Sequence, residues 1–106
     1  MELSFIDKRI RKICEDPDEA TTVLGQSISK ELQRRLADLD AANSIEDLII
    51  GNPEEILNTP YSNFKIDLPD GFRLVFCSNH IKQPLIEGRI NWGKVNRIKI
   101  LEIMKI

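Results

Sequence analysis

The stretch FKIDLPDGFRLVF, residues 64–76, constrains the fold more than any other part of the chain. Its apolar residues alternate with polar ones on both sides of Pro69-Asp70-Gly71, a sequence typical of a turn. A period of two is the pattern of strands that bury one face. The stretch therefore predicts an antiparallel hairpin whose second face carries polar side chains.

The segment before this hairpin predicts helices. One apolar stripe recurs at steps of four, four and three residues, which is the spacing of a helix with one buried face. The stripe consists of Ile28, Leu32, Leu36 and Leu39. An earlier helix is predicted to restart at Asp16, which can cap it, with Pro17 at the first helical position.

The ends of the chain predict strands, from the alternation at residues 3–5 and in VNRIKILEIMKI, residues 95–106. Residues 51–62 and 78–94 are expected to be loops. Helices followed by strands indicate an α+β fold, in which helices cover one face of an antiparallel sheet. A length of 106 residues fits one domain, residues 1–106.

Charge is unevenly distributed along the chain. The net charge is -2, but residues 36–72 hold eight acidic and one basic side chain, and residues 73–106 hold two and seven. This balance argues against indiscriminate nucleic-acid binding and allows a confined anion site. The charged N-terminus and the absence of a long apolar run predict a cytoplasmic protein without a membrane segment.

Four cations occupy the polar phase of three predicted strands: Lys65, Arg73, Arg97 and Lys99. On one sheet face they could bind phosphate groups, because guanidinium forks bind phosphate oxygens through two hydrogen bonds and ammonium groups act as point charges. An ordinary solvated face is the alternative. In that case Asp67 would lie opposite Arg73 as a cross-strand ion pair.

Aromatic and basic residues in the loops beside the sheet are further candidates for binding RNA: Tyr61, Trp92 and Lys94. Either aromatic ring could stack on a base, although filling the edge of the core is the alternative for both. Cys77 and His80 have the spacing of half a metal site but lack further ligands, so no metal and no cofactor are expected. A single histidine also gives no support for a catalytic triad.

In the order of its elements and in the wording of its hairpin, the chain resembles the RelE/HigB-like toxins of bacterial toxin-antitoxin systems, specifically the HigB-type killer proteins. The resemblance runs from about residue 2 to residue 103, and DGFRLVF is its most specific part. It implies about four antiparallel strands, helices on one side, and a basic cleft on the other side. It also implies metal-independent cleavage of messenger RNA on the ribosome, and a helix-turn-helix antitoxin as the partner.

The resemblance assigns Arg73 to stabilising the phosphate, and Lys65, Arg97 and Lys99 to the surrounding cations of the catalytic site. The chain ends without the aromatic or histidine ending that is common in the family. A catalytically weakened relative that acts as an antitoxin-binding or regulatory module is therefore the alternative. An unrelated small α+β interaction domain is a third possibility.

Overall fold

A computed structural model describes residues 1–106 and contains the predicted hairpin. Asp67 lies opposite Arg73 and Phe64 opposite Phe76, and the Leu68 N–H donates to the Phe72 carbonyl at 2.8 Å. The turn depends on Asp70 and Gly71, which have φ angles of +59° and +77°. Both residue types tolerate this left-handed region. The alternating sequence and its turn thus fix the register of the hairpin.

Three helices and seven strands make up the fold. The helices are α1 (Lys8–Glu15), α2 (Pro17–Leu24) and α3 (Gln26–Ala41). The strands are β1 (Glu2–Phe5), β2 (Glu54–Ile56), β3 (Asn63–Asp67), β4 (Phe72–Ser78), β5 (Leu85–Ile86), β6 (Arg89–Ile90) and β7 (Arg97–Lys105). The predicted α+β class, with helices packed on a sheet, is confirmed.

The main sheet has five strands in the order β1-β7-β4-β3-β2. It is mixed rather than antiparallel, because β1 runs parallel to β7, with Leu3 opposite Ile98. The sheet thus has one strand more than the four or so that were expected, and the expectation that all of its strands are antiparallel was wrong for the β1–β7 pair. The parallel pair needs no short turn, since the helices and the rest of the sheet separate its two strands along the chain.

Both predicted loops contain strands. β2 forms at the edge of the sheet, where the neighbouring prolines remove no hydrogen bond from a central ladder. β5 and β6 form a separate hairpin around Glu87 and Gly88, which have φ angles of +52° and +76°. This arrangement accounts for the length of the second loop, because two positive φ angles suit a tight hairpin turn.

The first two helices begin where the sequence supplies side-chain caps, whereas α3 begins after Gly25 without one. The Asp7 carboxylate accepts from the Ile10 N–H at 2.8 Å, and the Asp16 carboxylate accepts from the Asp18 N–H at 3.0 Å before Pro17 opens α2. Such caps satisfy N–H groups that have no partner inside a helix. The predicted α3 stripe is buried. None of the three helices is long and apolar enough to cross a membrane.

The core lies between the helices and one face of the sheet. Phe76, Leu74 and Ile98 are fully buried beneath the α3 stripe. Trp92 closes one end, with its ring centroid 5.0 Å from that of Phe64 in an edge-to-face arrangement, a geometry favoured by aromatic quadrupoles. Helices therefore occupy one face of the sheet and leave the other face free of them.

Gly51 lies in the loop after α3 and connects that loop to β3 through a hydrogen bond. Its carbonyl accepts from the Asp67 N–H at 2.6 Å, and its φ angle is +88°. A Cβ atom here would overlap Cγ2 of Ile66 and approach the Asp67 carbonyl oxygen to 3.2 Å. The close approach of two backbones thus requires glycine.

We expect Gly51→Ala to destabilise the protein more than Gly71→Ala does. Gly71 also has a positive φ, but nothing lies within 4 Å of a Cβ built there. Gly71→Ala should therefore cost only backbone strain, about 1–2 kcal/mol, while Gly51→Ala adds overpacking of about 1–3 kcal/mol. Urea unfolding of both variants measures the difference; equal free energies of unfolding would show that the loop moves away without cost.

Candidate functional site

The sheet face opposite the helices, which we call the open face, carries the four predicted cations. Phe76 points into the core, so Arg73 and Cys77, at odd spacing from it, point the other way. Lys65 lies opposite Val75, and Lys99 lies opposite Cys77. Strand register thus places these side chains on one face, and Arg97 joins them two residues before Lys99.

Two of these cations are paired with carboxylates. Lys65 is only 6% exposed, and its Nζ lies 2.9 Å from Asp67 Oδ1 and 3.0 Å from the Asn52 carbonyl oxygen. Arg97 Nε lies 3.3 Å from Glu2 Oε2 on the neighbouring strand. The Lys65 ammonium is therefore occupied locally, whereas the exposed Arg97 pair is weak and exchangeable.

The expected Asp67–Arg73 ion pair does not form, although the two residues lie opposite each other. Asp67 pairs with Lys65, which lies two residues away on the same strand and the same face. The hydrogen bond from Lys65 lowers the pKa of Asp67, and the positive charge of Arg73 contributes less. Arg73 thus has no carboxylate within ion-pair distance.

Arg73 lines a cleft of about 390 Å³ on the open face, together with Ile56 and Met104. Its Nε is buried and has no hydrogen-bond partner. A buried donor without a partner costs free energy that a ligand oxygen or water can recover. Arg73 is therefore the cation of this face whose buried Nε lacks a hydrogen-bond acceptor.

A second cleft, of about 350 Å³, adjoins the first and has a more polar lining. Lys99 lies in it without any carboxylate within ion-pair distance, beside the half-buried Tyr61 and His80. Asn63 and Leu101 line both clefts. The two unpaired cations of the open face thus lie in neighbouring clefts of one continuous surface.

From the sequence, His80 was considered as a metal ligand and as a member of a catalytic triad, and neither role was supported. Its Nε2 accepts from the Asn96 N–H at 3.2 Å, which leaves Nδ1 as the nitrogen that carries the proton in the neutral ring. Nδ1 can then donate to a ligand. The only indication in the sequence was a single histidine close to the end of a predicted strand. That indication does not identify the residues that surround the histidine in the fold.

Cys77 also lines the polar cleft. Burial raises its pKa, against the opposing effect of the positive Lys99. Burial raises the pKa of Cys14, in the core, to about 12, so both thiols stay protonated at neutral pH. No three side chains among His, Cys, Asp and Glu are grouped so that they could hold a metal ion.

The predicted RNA-binding residues occupy three different environments. Trp92 is buried against Phe64 and Phe76, and its indole N–H donates to Glu55 at 3.2 Å, so its ring has no free face for a base. Trp92 therefore fills the edge of the core, which was the alternative to stacking on a base. Lys94 is exposed but lies outside both clefts, and Tyr61 alone of the three lines the polar cleft.

Together, the fold and the clefts define an α+β protein with two adjoining clefts on one face of its sheet, where Arg73 and Lys99 have no carboxylate within ion-pair distance. Comparison with protein-family models finds no match, and searches of curated proteins and of solved structures find no significant match.

We expect Asp67→Asn to reduce the free energy of unfolding near pH 7 by about 1 kcal/mol, because the carboxylate accepts a charged hydrogen bond from Lys65 but is partly exposed. Since folding lowers the pKa of Asp67, its contribution is present above the ordinary value of 3.8 and disappears as the pH falls through the lowered pKa. The difference from wild type should therefore shrink in acid.

Urea unfolding at neutral and acid pH measures this effect. Asp70→Asn is the matched control, because Asp70 is exposed and makes no hydrogen bond or ion pair with its side chain. A difference for Asp67→Asn that persists unchanged in strong acid would contradict the ion pair.

Proposed function

We propose that this protein is the toxin of a toxin-antitoxin pair, a metal-independent endoribonuclease that cleaves messenger RNA on the ribosome and so inhibits translation. The observation that carries the proposal is the polar cleft in which Lys99 lies beside Tyr61 and His80, next to the unpaired Arg73. The resemblance of DGFRLVF and its flanking elements to the RelE/HigB-like toxins supports the same function.

The chemistry of such a cleavage fits these residues. The ribose 2′-oxygen bonds to the adjacent phosphorus and loses its proton to solvent, and the bond from phosphorus to the 5′-oxygen breaks. Lys99 stabilises the negative charge on the phosphorane oxygens. His80 donates a hydrogen bond from Nδ1 to the departing 5′-oxygen, which takes its proton from solvent as it leaves.

Two further residues bind the substrate in this proposal. Arg73 contacts a neighbouring phosphate, which supplies the acceptor that its Nε lacks. Tyr61 stacks on a base at the wall of the polar cleft, a contact that contributes about 1–3 kcal/mol per base where it occurs. Lys65 and Arg97 shape the electrostatic field instead of contacting the reacting phosphate, because each is paired with a carboxylate.

The cellular setting follows from the same proposal. A toxin of this class works in the cytoplasm, where the ribosome is its target, and a helix-turn-helix antitoxin made beside it holds it inactive. The cations of the open face favour an antitoxin segment that carries acidic side chains, since complementary charges speed association.

A second candidate function is supported by the pairing of Lys65 with Asp67 and of Arg97 with Glu2. Two of the four cations that the resemblance assigns to catalysis are thereby partly neutralised. A protein with the same surface but too little free charge for catalysis would act as an antitoxin-binding or regulatory module. Cleavage by the purified wild-type protein distinguishes the two functions.

We expect Lys99→Ala to reduce messenger cleavage on programmed ribosomes by about a hundredfold, the effect of removing one electrostatic contact from a transition state. The free energy of unfolding should change by less than about 0.5 kcal/mol, because Lys99 is half-buried and forms no ion pair. Lys30→Ala, which removes an exposed and unpaired cation from α3, is the matched control and should cleave normally.

Arg73→Lys tests whether the guanidinium fork matters as well as the charge. A bidentate phosphate contact should be lost and cleavage should fall by about tenfold or more, while a requirement for charge alone would leave cleavage unchanged. If wild-type protein leaves the messenger intact on programmed ribosomes, the nuclease function is refuted. Retained antitoxin binding would then favour the regulatory module.

A further inference from the structure

A cleft of about 310 Å³ lies on the helix side of the sheet, and none of the residues of the proposed nuclease chemistry lines it. It is formed by the C-terminal half of α3 and the loop that follows the short turn Ile45–Asp47. Its floor includes Ile66, which points to the helices and not to the open face. This cleft shares no lining residue with the two clefts of the open face.

Two large apolar side chains border this cleft and are left in solvent. Ile49 is 87% exposed and Ile50 is 57% exposed, and both line the cleft with Ala41, Ala42 and Leu48. Two adjacent exposed isoleucines beside an apolar concavity form one contiguous apolar patch. Such a patch differs from single apolar residues that are scattered over a surface. Covering one isoleucine side chain is worth roughly 1.5–3 kcal/mol.

One wall of the cleft is a buried arginine. Arg35 is 5% exposed, and its guanidinium lies 3.2 Å from Asp38 and 3.5 Å from Glu31. Nε and Nη1 nevertheless make no hydrogen bond, since neither approach has the required geometry. The single positive charge at this wall is therefore already shared between two carboxylates.

The other charged side chains that line the cleft are acidic. Asp47 lines it, is exposed and forms no ion pair; its Oδ2 accepts only from the Asn43 N–H, at 2.8 Å. Together with Asp38 it gives the lining of the cleft two carboxylates against the one guanidinium of Arg35. Between Arg35 and Lys65 the chain has no lysine, arginine or histidine. The Met1 amino group lies beside the cleft, where it donates to the Ala42 carbonyl, and Asp47 has no cation within ion-pair distance.

We propose that this acidic apolar cleft is a docking site for a cationic amphipathic segment of a partner protein. The segment places an apolar side chain against Ile49 and Ile50 and a lysine or arginine beside Asp47 and Asp38. Charge complementarity identifies the occupant, because only a segment that carries both kinds of side chain satisfies both features of the cleft.

The exposed position of Ile49 favours a peptide segment over a small cation. A small amine within the cleft would pair with Asp47 but would leave most of Ile49 in water, whereas a peptide covers both. The docking site is independent of the proposed nuclease function, because it lies on the other side of the sheet. A partner could bind here while RNA occupies the open face.

The test is a titration of the full chain, followed by amide NMR shifts, with two designed helical peptides of about 14 residues. Both have the same leucine stripe, and one has lysine and the other glutamate on the polar face. The lysine peptide should shift the amides of residues 38–50 and bind at least tenfold more tightly than the glutamate peptide. Ile49→Ser and Asp47→Asn should each weaken binding by about fivefold or more.

Ile81→Ser is the matched control, because Ile81 is fully exposed and lies in the loop beside β5, outside the cleft. It should leave binding unchanged. Shifts centred on the acidic start of α2 at Asp16–Glu19, equal binding of both peptides, or no binding would each overturn the proposal. Shifts of the same amides on raising the protein concentration alone would overturn it in favour of a second copy of this chain as occupant.

Discussion

The pairing of β7 with both of its neighbours is the constraint on which the rest of the structure depends. β7 lies between β1, the first strand of the chain, and β4, the second strand of the hairpin. It thus brings the two ends of the chain into one sheet, and all three helices lie in the connection that begins at β1. The Met1 amino group strengthens this closure by donating to the carbonyls of Leu39 and Asp40 at the end of α3. The entropic cost of closing so long a loop increases only slowly with the length of the loop. The buried hydrogen-bonded pairing of β7 with its neighbours offsets this cost.

The sequence predicts those parts of the fold that arise from neighbouring residues. The register of Asp67 against Arg73 follows from alternation and a turn, and the burial of Leu32 and Leu36 follows from helical spacing. The parallel pairing of Leu3 with Ile98 could not be predicted in this way, because it depends on residues from opposite ends of the chain. Periodicity identifies a strand, but it does not say which strand becomes its neighbour.

The same distinction applies to the candidate site. Alternation places Lys65 and Arg73 on one face, and the spacing of Lys65 and Asp67 already contains the signal for their ion pair, because residues two apart share a face. The polar cleft could not be predicted, since Tyr61, His80 and Lys99 come together only through two loops and a strand. Burial of Trp92 likewise depends on its packing against Phe64, which lies far away in the sequence.

Unpaired charges of opposite sign lie in separate clefts. The unpaired Arg73 and Lys99 lie on the open face, and the cleft at Asp47 lies on the helix side. Within their own clefts, Lys99 favours an anionic group and Asp47 favours a cationic one. A nearly neutral protein can in this way present clefts of opposite charge, so a net charge of -2 does not argue against the RNA site that we propose on the open face.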